Sequence, residues 1–111
     1  MKYQTHNEIT IDNNGSHLQG YIKADYEELV EAFGLPMANG YDNFKVDAEW
    51  MILFEDGTVA TIYNWKNGKN YMGPTGLDLD EIHEWNVGGF SKISLFRLAE
   101  TLVKFSVQAA A

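Results

Sequence analysis

Tyr26, Leu29, Val30 and Phe33 recur at i, i+3, i+4 and i+7, so four large apolar side chains share one face of a helix. Asp25 precedes them and Glu28 follows three residues later, the spacing of a capping box. Gly34 and Pro36 then stop the pattern. The periodicity predicts a first helix from about Asp25 to Phe33. A different period governs Val46–Glu55 and Thr58–Lys66, two strand-like runs joined by Asp56-Gly57. Asp-Gly between apolar runs favours a two-residue type I′ turn. That turn would set Glu55 opposite Thr58, Phe54 opposite Val59, Ile52 opposite Thr61 and Trp50 opposite Tyr63. One face would then carry Trp50, Ile52, Phe54, Val59, Tyr63 and Trp65, and the other Met51, Leu53, Ala60 and Ile62. Both faces read as apolar, so both would need cover.

Shorter signals complete the outline. Ile9–Asp12 and Leu18–Lys23 read as strands around the turn formers Asn13-Asn14-Gly15-Ser16, and so as an N-terminal hairpin. Residues 37–43 and 67–80 read as loops. Ile82–Val87 reads as a strand ended by Gly88-Gly89. Ser91 is placed to cap a second helix over about Lys92–Val107, with Phe90 and Leu95 as a hydrophobic staple. Its apolar positions cover more than one stripe, which predicts burial over much of its circumference. The expected fold is α+β: an antiparallel β-meander of about five strands packed against two helices. Two helices cover one sheet face well, so the surplus apolar surface predicts a homodimer.

Composition narrows the function. The 111 residues suit one domain, taken as 1–108, with Ala109-Ala110-Ala111 read as a cloning scar. The N-terminus lacks the apolar core of a signal peptide, and no run is long enough to span a bilayer. A soluble cytoplasmic protein is expected, with no membrane partner. Cysteine is absent, which excludes disulfides, thiolate metal sites and a cysteine nucleophile. Sixteen acids against eight Lys and Arg give a formal charge of −8, which disfavours direct nucleic-acid binding. Nine of those acids, with one base, fall between Asp25 and Asp56. They read either as a solvated helix and hairpin rim or as an acidic patch for a basic partner surface. In the second reading Glu27, Glu28, Glu31, Asp42, Asp47 and Glu49 are the contact acids.

Catalytic motifs are mostly missing. His6, His17 and His83 have no zinc-binding spacing, and Asp78, Asp80, Glu81 and Glu84 do not follow an EF-hand order. There is no nucleophile elbow, P-loop or dinucleotide fingerprint. No metal, cofactor or catalytic residue is expected. One segment stands apart: Tyr63 to Tyr71 interleaves three aromatics, two lysines and three asparagines. Tyr63, Trp65, Lys66, Lys69 and Tyr71 could stack a base and meet a phosphate, with Trp85 completing the site. Equally, they could end a strand and plug the core.

Gly20-Tyr21-Ile22-Lys23-Ala24 followed by Tyr26, Leu29, Phe33-Gly34 and Pro36, the run Trp50-x-x-x-Phe54-Glu55-Asp56-Gly57-Thr58-Val59-Ala60-Thr61-Ile62-Tyr63-Asn64-Trp65-Lys66, and Trp85-Asn86-Val87-Gly88-Gly89 resemble short acidic proteins encoded by bacteriophages. The likeness spans about residues 18 to 100 and carries over no catalytic residues. It implies a small accessory protein of the kind that inhibits host defences, by mimicking nucleic acid or docking on a nuclease complex. The leading expectation is therefore a non-enzymatic inhibitor, of anti-CRISPR-like type, that binds a host defence or nucleic-acid-handling protein through its acidic surface. The alternative is a nucleotide-like small-molecule binding module or enzyme built on residues 63–71.

Overall fold

The computed structural model of the chain describes residues 1–37, 44–102 and the backbone of 108–110. The fold is α+β. Six antiparallel strands make one sheet: β1 (Tyr3–Thr5), β2 (His17–Lys23), β3 (Glu49–Phe54), β4 (Val59–Tyr63), β5 (Glu84–Gly89) and β6 (Gln108–Ala110). Their spatial order is β1-β3-β4-β5-β2-β6, so only β3-β4-β5 is a meander. The helices among the described residues are α1 (Tyr26–Phe33), α2 (Lys69–Met72) and α3 (Ile93–Thr101), with 3₁₀ turns at Gly73–Thr75 and Leu79–Glu81. The loop expected at 37–43 beyond Met37, and the expected helical residues Val103–Val107, lie outside the described residues.

α1 forms as its pattern predicts. The Asp25 N–H donates to Glu28 Oε1 at 3.2 Å, closing the capping box. The Gly34 N–H donates to the Val30 carbonyl at 2.8 Å and ends the helix. Leu29 and Phe33 are buried in a core with Trp50, Ile52, Phe54, Ile62, Trp85 and Val87. Trp50 is fully buried; its indole donates to the Gly34 carbonyl at 2.8 Å and its ring meets Trp85 edge-on at 5.4 Å.

The main hairpin forms with a register one residue away from the expected one. Leu53 pairs with Val59, Ile52 with Ala60, Trp50 with Ile62 and Glu49 with Tyr63. The cause is the turn. Gly57 donates to the Phe54 carbonyl and Phe54 to the Thr58 carbonyl, both at 2.9 Å, so three residues, Glu55-Asp56-Gly57, make the loop. Only Gly57 has positive φ, +89°, the left-handed residue that closes a three-residue loop. A type I′ turn needs two such residues. The Asp56 carboxylate accepts from the Thr58 N–H at 3.0 Å and from Arg97 Nε at 2.9 Å. A one-residue slip exchanges the faces of a strand. Trp50, Ile52 and Phe54 therefore share the core face with Ala60 and Ile62, whereas Val59, Thr61 and Tyr63 face the other way with Met51 and Leu53.

Other expectations change as well. The N-terminal hairpin does not form: Ile9–Asp12 is not a strand, and β1 pairs with β3 instead. The Asn13–Ser16 turn is present, with the Ser16 N–H on the Asn13 carbonyl at 3.0 Å, but β2 pairs with β5 and β6. Gly88 and Gly89 continue β5 rather than ending it. α3 buries a single stripe, Ser94, Leu95 and Leu98, with Leu102 just beyond, and leaves Ile93 and Phe96 exposed, so it is not covered around its circumference. β6 pairs along β2 at the sheet edge, with Ala110 beside Tyr21 and Ala109 beside Ile22.

Candidate ligand-binding cleft

Residues opposite each other on neighbouring strands share a face. On the face away from the core, Glu49, Tyr63, Asn86 and Tyr21 line up across β3, β4, β5 and β2. The next row is Met51, Thr61, Gly88 and Leu18. Gly88 has a spatial reason to be glycine: a Cβ there would sit 2.5 Å from Thr61 Oγ1 and 3.6 Å from the Tyr63 ring. The floor is thus left open beneath the Asn13–Leu18 segment on one side and Val46 with Trp65 on the other. Together they enclose a cleft of about 480 Å³, also lined by Glu49, Thr61, Tyr63 and Gly88. That volume lies within the ~300–1,000 Å³ of small-molecule sites.

Its electrostatics are uneven. Glu49 is 5% exposed, an uncommon position for a carboxylate. Among the described residues, no lysine or arginine lines the cleft. Burial raises the Tyr63 pKa above its ordinary value; a hydrogen bond with Asn86 opposes this, and the charges of Glu49 and Tyr21 add to it. Tyr63 is therefore a neutral phenol at pH 7, able to donate and to accept. Trp65, 41% exposed, meets the Tyr63 ring edge-on at 6.2 Å. The ammonium groups of Lys45 and Lys66 lie 5.3 and 5.8 Å from its ring centre. The cleft has an acidic floor and an aromatic wall flanked by cations.

Of the aromatic and lysine residues singled out in the sequence, Tyr63 and Trp65 line the cleft. Lys66 lies beside it, spanning Trp65 and the Tyr71 ring, the latter at 5.5 Å, and Tyr71 packs on Phe44. Lys69 instead faces Asp78 at 3.1 Å. Trp85 is fully buried in the core, its indole donating to the Ala24 carbonyl at 2.9 Å, so it is not available to a ligand.

The acidic residues divide. Glu27 and Glu31 are exposed on α1, Glu28 serves the capping box, and Asp42 lies outside the described residues. Asp47 is held by the fold: its carboxylate accepts from Asn64 Nδ2 at 2.9 Å and from the Asn70 N–H at 3.2 Å. Glu49 is buried in the cleft floor, so the six acids do not make one surface. Asp78, Asp80 and Glu81 bring carboxylate oxygens within 4.8 Å of one another, but all three are exposed and Asp78 with Glu81 caps the 3₁₀ turn. His83 meets Asp25 at 2.6 Å, and His17 lines the cleft.

Asn64 was not singled out. It is buried, and its Oδ1 accepts from the backbone N–H groups of Asp47 and Ala48 at 2.8 and 3.0 Å, while its Nδ2 donates to Asp47 and Asn67. It ties the segment bearing Trp65 to the start of β3. A lone asparagine after a strand gives no warning of this in sequence. Ile82 to Val87 and the hairpin suggested neighbouring strands, and β5 does pair with β4. No protein-family profile matches the chain, and no curated protein matches it.

Proposed function

We propose that the protein is a non-enzymatic small-molecule binding module whose ligand sits in the cleft over Glu49, Thr61 and Tyr63. The observation that carries this reading is the cleft of about 480 Å³ itself, lined by Thr61, Tyr63 and Trp65, with Gly88 leaving its floor open. A sheet face serving only as surface has no need of a recess of this size walled by a partly exposed indole. The test is a thermal-shift screen of polar, ring-containing compounds against wild type and Trp65→Ala. A ligand that binds the native state raises the melting temperature by mass action. A compound that stabilises wild type and not the variant supports the reading; uniform shifts, or none across the screen, count against it.

A second reading is the acidic inhibitor, and one contact favours it. α1 packs against the Leu79–Glu81 turn, and the Ala24 N–H donates to the His83 carbonyl at 3.0 Å. This brings the segment bearing Glu27 and Glu31 beside the one bearing Asp80, Glu81 and Glu84, all exposed. Their common partner would be a basic surface on a host defence or nucleic-acid-handling protein, bound in a salt-sensitive way. Replacing Glu27 and Glu31 with lysine should leave the fold intact and abolish that binding; binding that persists at low salt counts against it. A homodimer through the exposed Phe90, Ile93 and Phe96 belongs to the same proposal. Sedimentation giving twice 12.6 kDa supports it, and a mass near 12.6 kDa overturns it. Among the described residues no helix is long and apolar enough to cross a membrane.

A further inference from the structure

We propose that Asn14-Gly15, at the rim of the cleft, is a site of spontaneous covalent modification. The Asn14 carboxamide is lost as ammonia and a carboxylate takes its place, while the same dipeptide at Asn67-Gly68 is held unreactive by the fold. The reaction proceeds whether or not the cleft holds a ligand.

Its chemistry needs only water. The Gly15 main-chain nitrogen gives its proton to solvent and attacks Asn14 Cγ. A bond forms between them, the Cγ–Nδ2 bond breaks, and Nδ2 takes up a proton and leaves as ammonia. A five-membered succinimide ring remains. Water adds at one of its two carbonyl carbons and opens it. Breaking the new N–Cγ bond gives aspartate; breaking the original peptide bond gives isoaspartate, with the chain rerouted through the side chain. Nothing is oxidised or reduced. Glycine after the asparagine favours closure, because the attacking nitrogen carries no crowded neighbour and the backbone can reach the angles of the ring.

The two Asn-Gly pairs among the described residues have different surroundings; Asn39-Gly40 lies outside them. Asn14 and Gly15 are both exposed. Their turn is held by main-chain donors, the Asn14 N–H on Asp12 Oδ1 at 2.9 Å and the Ser16 N–H on the Asn13 carbonyl at 3.0 Å. Among the described residues, neither the Asn14 carboxamide nor the Gly15 N–H has a hydrogen-bond partner. The space around Gly15 is open: a Cβ there would meet only the Phe90 ring, at 3.8 Å.

At the second pair, Asn67 is half-buried and Gly68 buried. Asn67 Oδ1 accepts from Asn64 Nδ2 at 3.1 Å, and the Asn67 carbonyl accepts from the Leu77 N–H at 2.9 Å. A Cβ on Gly68 would collide with the Asp47 carboxylate. Ring closure would have to break the Asn64 bond and bring the side chain onto a residue already packed against Asp47. One sequence signal therefore has two outcomes, set by tertiary contacts.

The consequence falls on the cleft, whose rim Asn14 shares with Ser16 and His17. Either product is a carboxylate, ionised at pH 7, so the chain becomes one unit more negative than its formal −8. Isoaspartate also lengthens the main chain of the wall by one carbon.

The test is to incubate the purified protein at neutral pH, folded and in guanidinium chloride, and to follow digested peptides by chromatography and mass spectrometry. Exchange of NH₂ for OH adds one mass unit. In the folded chain Asn14 should convert about tenfold or more faster than Asn67, which reacts only after its bonds open. The product at residue 14 should be a mixture of isoaspartate and aspartate, the mark of the ring. In denaturant the two rates should converge. Equal rates in the folded chain would overturn the proposal, as would an Asn14 that converts only in denaturant. So would aspartate without isoaspartate, or a rate difference that persists after unfolding.

Discussion

The two faces of the sheet are built by different rules. The face under α1 and α3 is apolar and closed, with Trp50, Ile52, Phe54, Ile62, Trp85 and Val87 buried side by side. The opposite face, a few ångströms away through the same backbone, carries Glu49, Thr61, Tyr63, Asn86 and a glycine, and holds a cleft. Hydrophobic burial sets the first, where each ring removed leaves a cavity. The second places polar groups, Glu49 and Thr61 among them, at buried positions. On the reading proposed above, one face carries stability and the other recognition.

Substitutions on the two faces should separate accordingly. Trp50→Ala removes a fully buried ring and an indole hydrogen bond and should destabilise by about 3–5 kcal/mol. A loss under about 1 kcal/mol in denaturant unfolding would show that this face is not the core. Asn64→Ala strands two backbone donors at the start of β3 and should cost about 1–3 kcal/mol. It should also weaken ligand binding, since it loosens the segment carrying Trp65; binding unchanged in a destabilised variant would separate the two roles. Tyr63→Phe, on the open face, should cost about 1 kcal/mol or less. A larger loss would mean that the cleft floor is structural.

The smallest effect is one of pH. Asp56 has its pKa lowered to about 2, first by its hydrogen bonds with Thr58 and then by Arg97. Its ordinary value is 3.8, so the folded state favours the charged carboxylate. The stabilisation is complete above about pH 4 and is lost as pH falls toward 2. Asp56→Asn should flatten acid unfolding in that window and leave stability near pH 7 less than wild type. An unchanged acid profile would show that the turn does not depend on this charge.

What the sequence shows of this arrangement depends on range. α1 is legible because Asp25, Glu28 and Gly34 act within one helical turn of each other, and local pairing decides them. Trp50 as an anchor is legible from its strand. The hairpin is legible as a hairpin, but its register turns on whether Asp56 adopts positive φ. It does not, and every side chain of β4 changes face as a result. The slip changes which residues share a face, bringing Ala60 and Ile62 to the core side and Val59 and Tyr63 to the side of Met51 and Leu53. β1 is three residues long and has no alternation to read. The cleft is assembled from Asn13–Leu18, β3, β4 and β5, far apart in the chain, so no spacing announces it. Tyr63 and Trp65 were singled out for their aromatic setting and do line it. Glu49 was read as a surface acid, the usual place for glutamate, but it is buried within the sheet, across from Tyr63 on one side and bridged to Met37 on the other.

The most direct test of the division between faces is a two-dimensional ¹⁵N–¹H spectrum recorded while a ligand found by thermal shift is titrated in. The account predicts shift changes confined to the backbone of Asn13–Leu18, Glu49, Thr61, Tyr63, Trp65 and Gly88, with α1 and the centre of α3 unmoved. Changes centred on Glu27, Glu31 or Phe96, with the cleft residues silent, would contradict it.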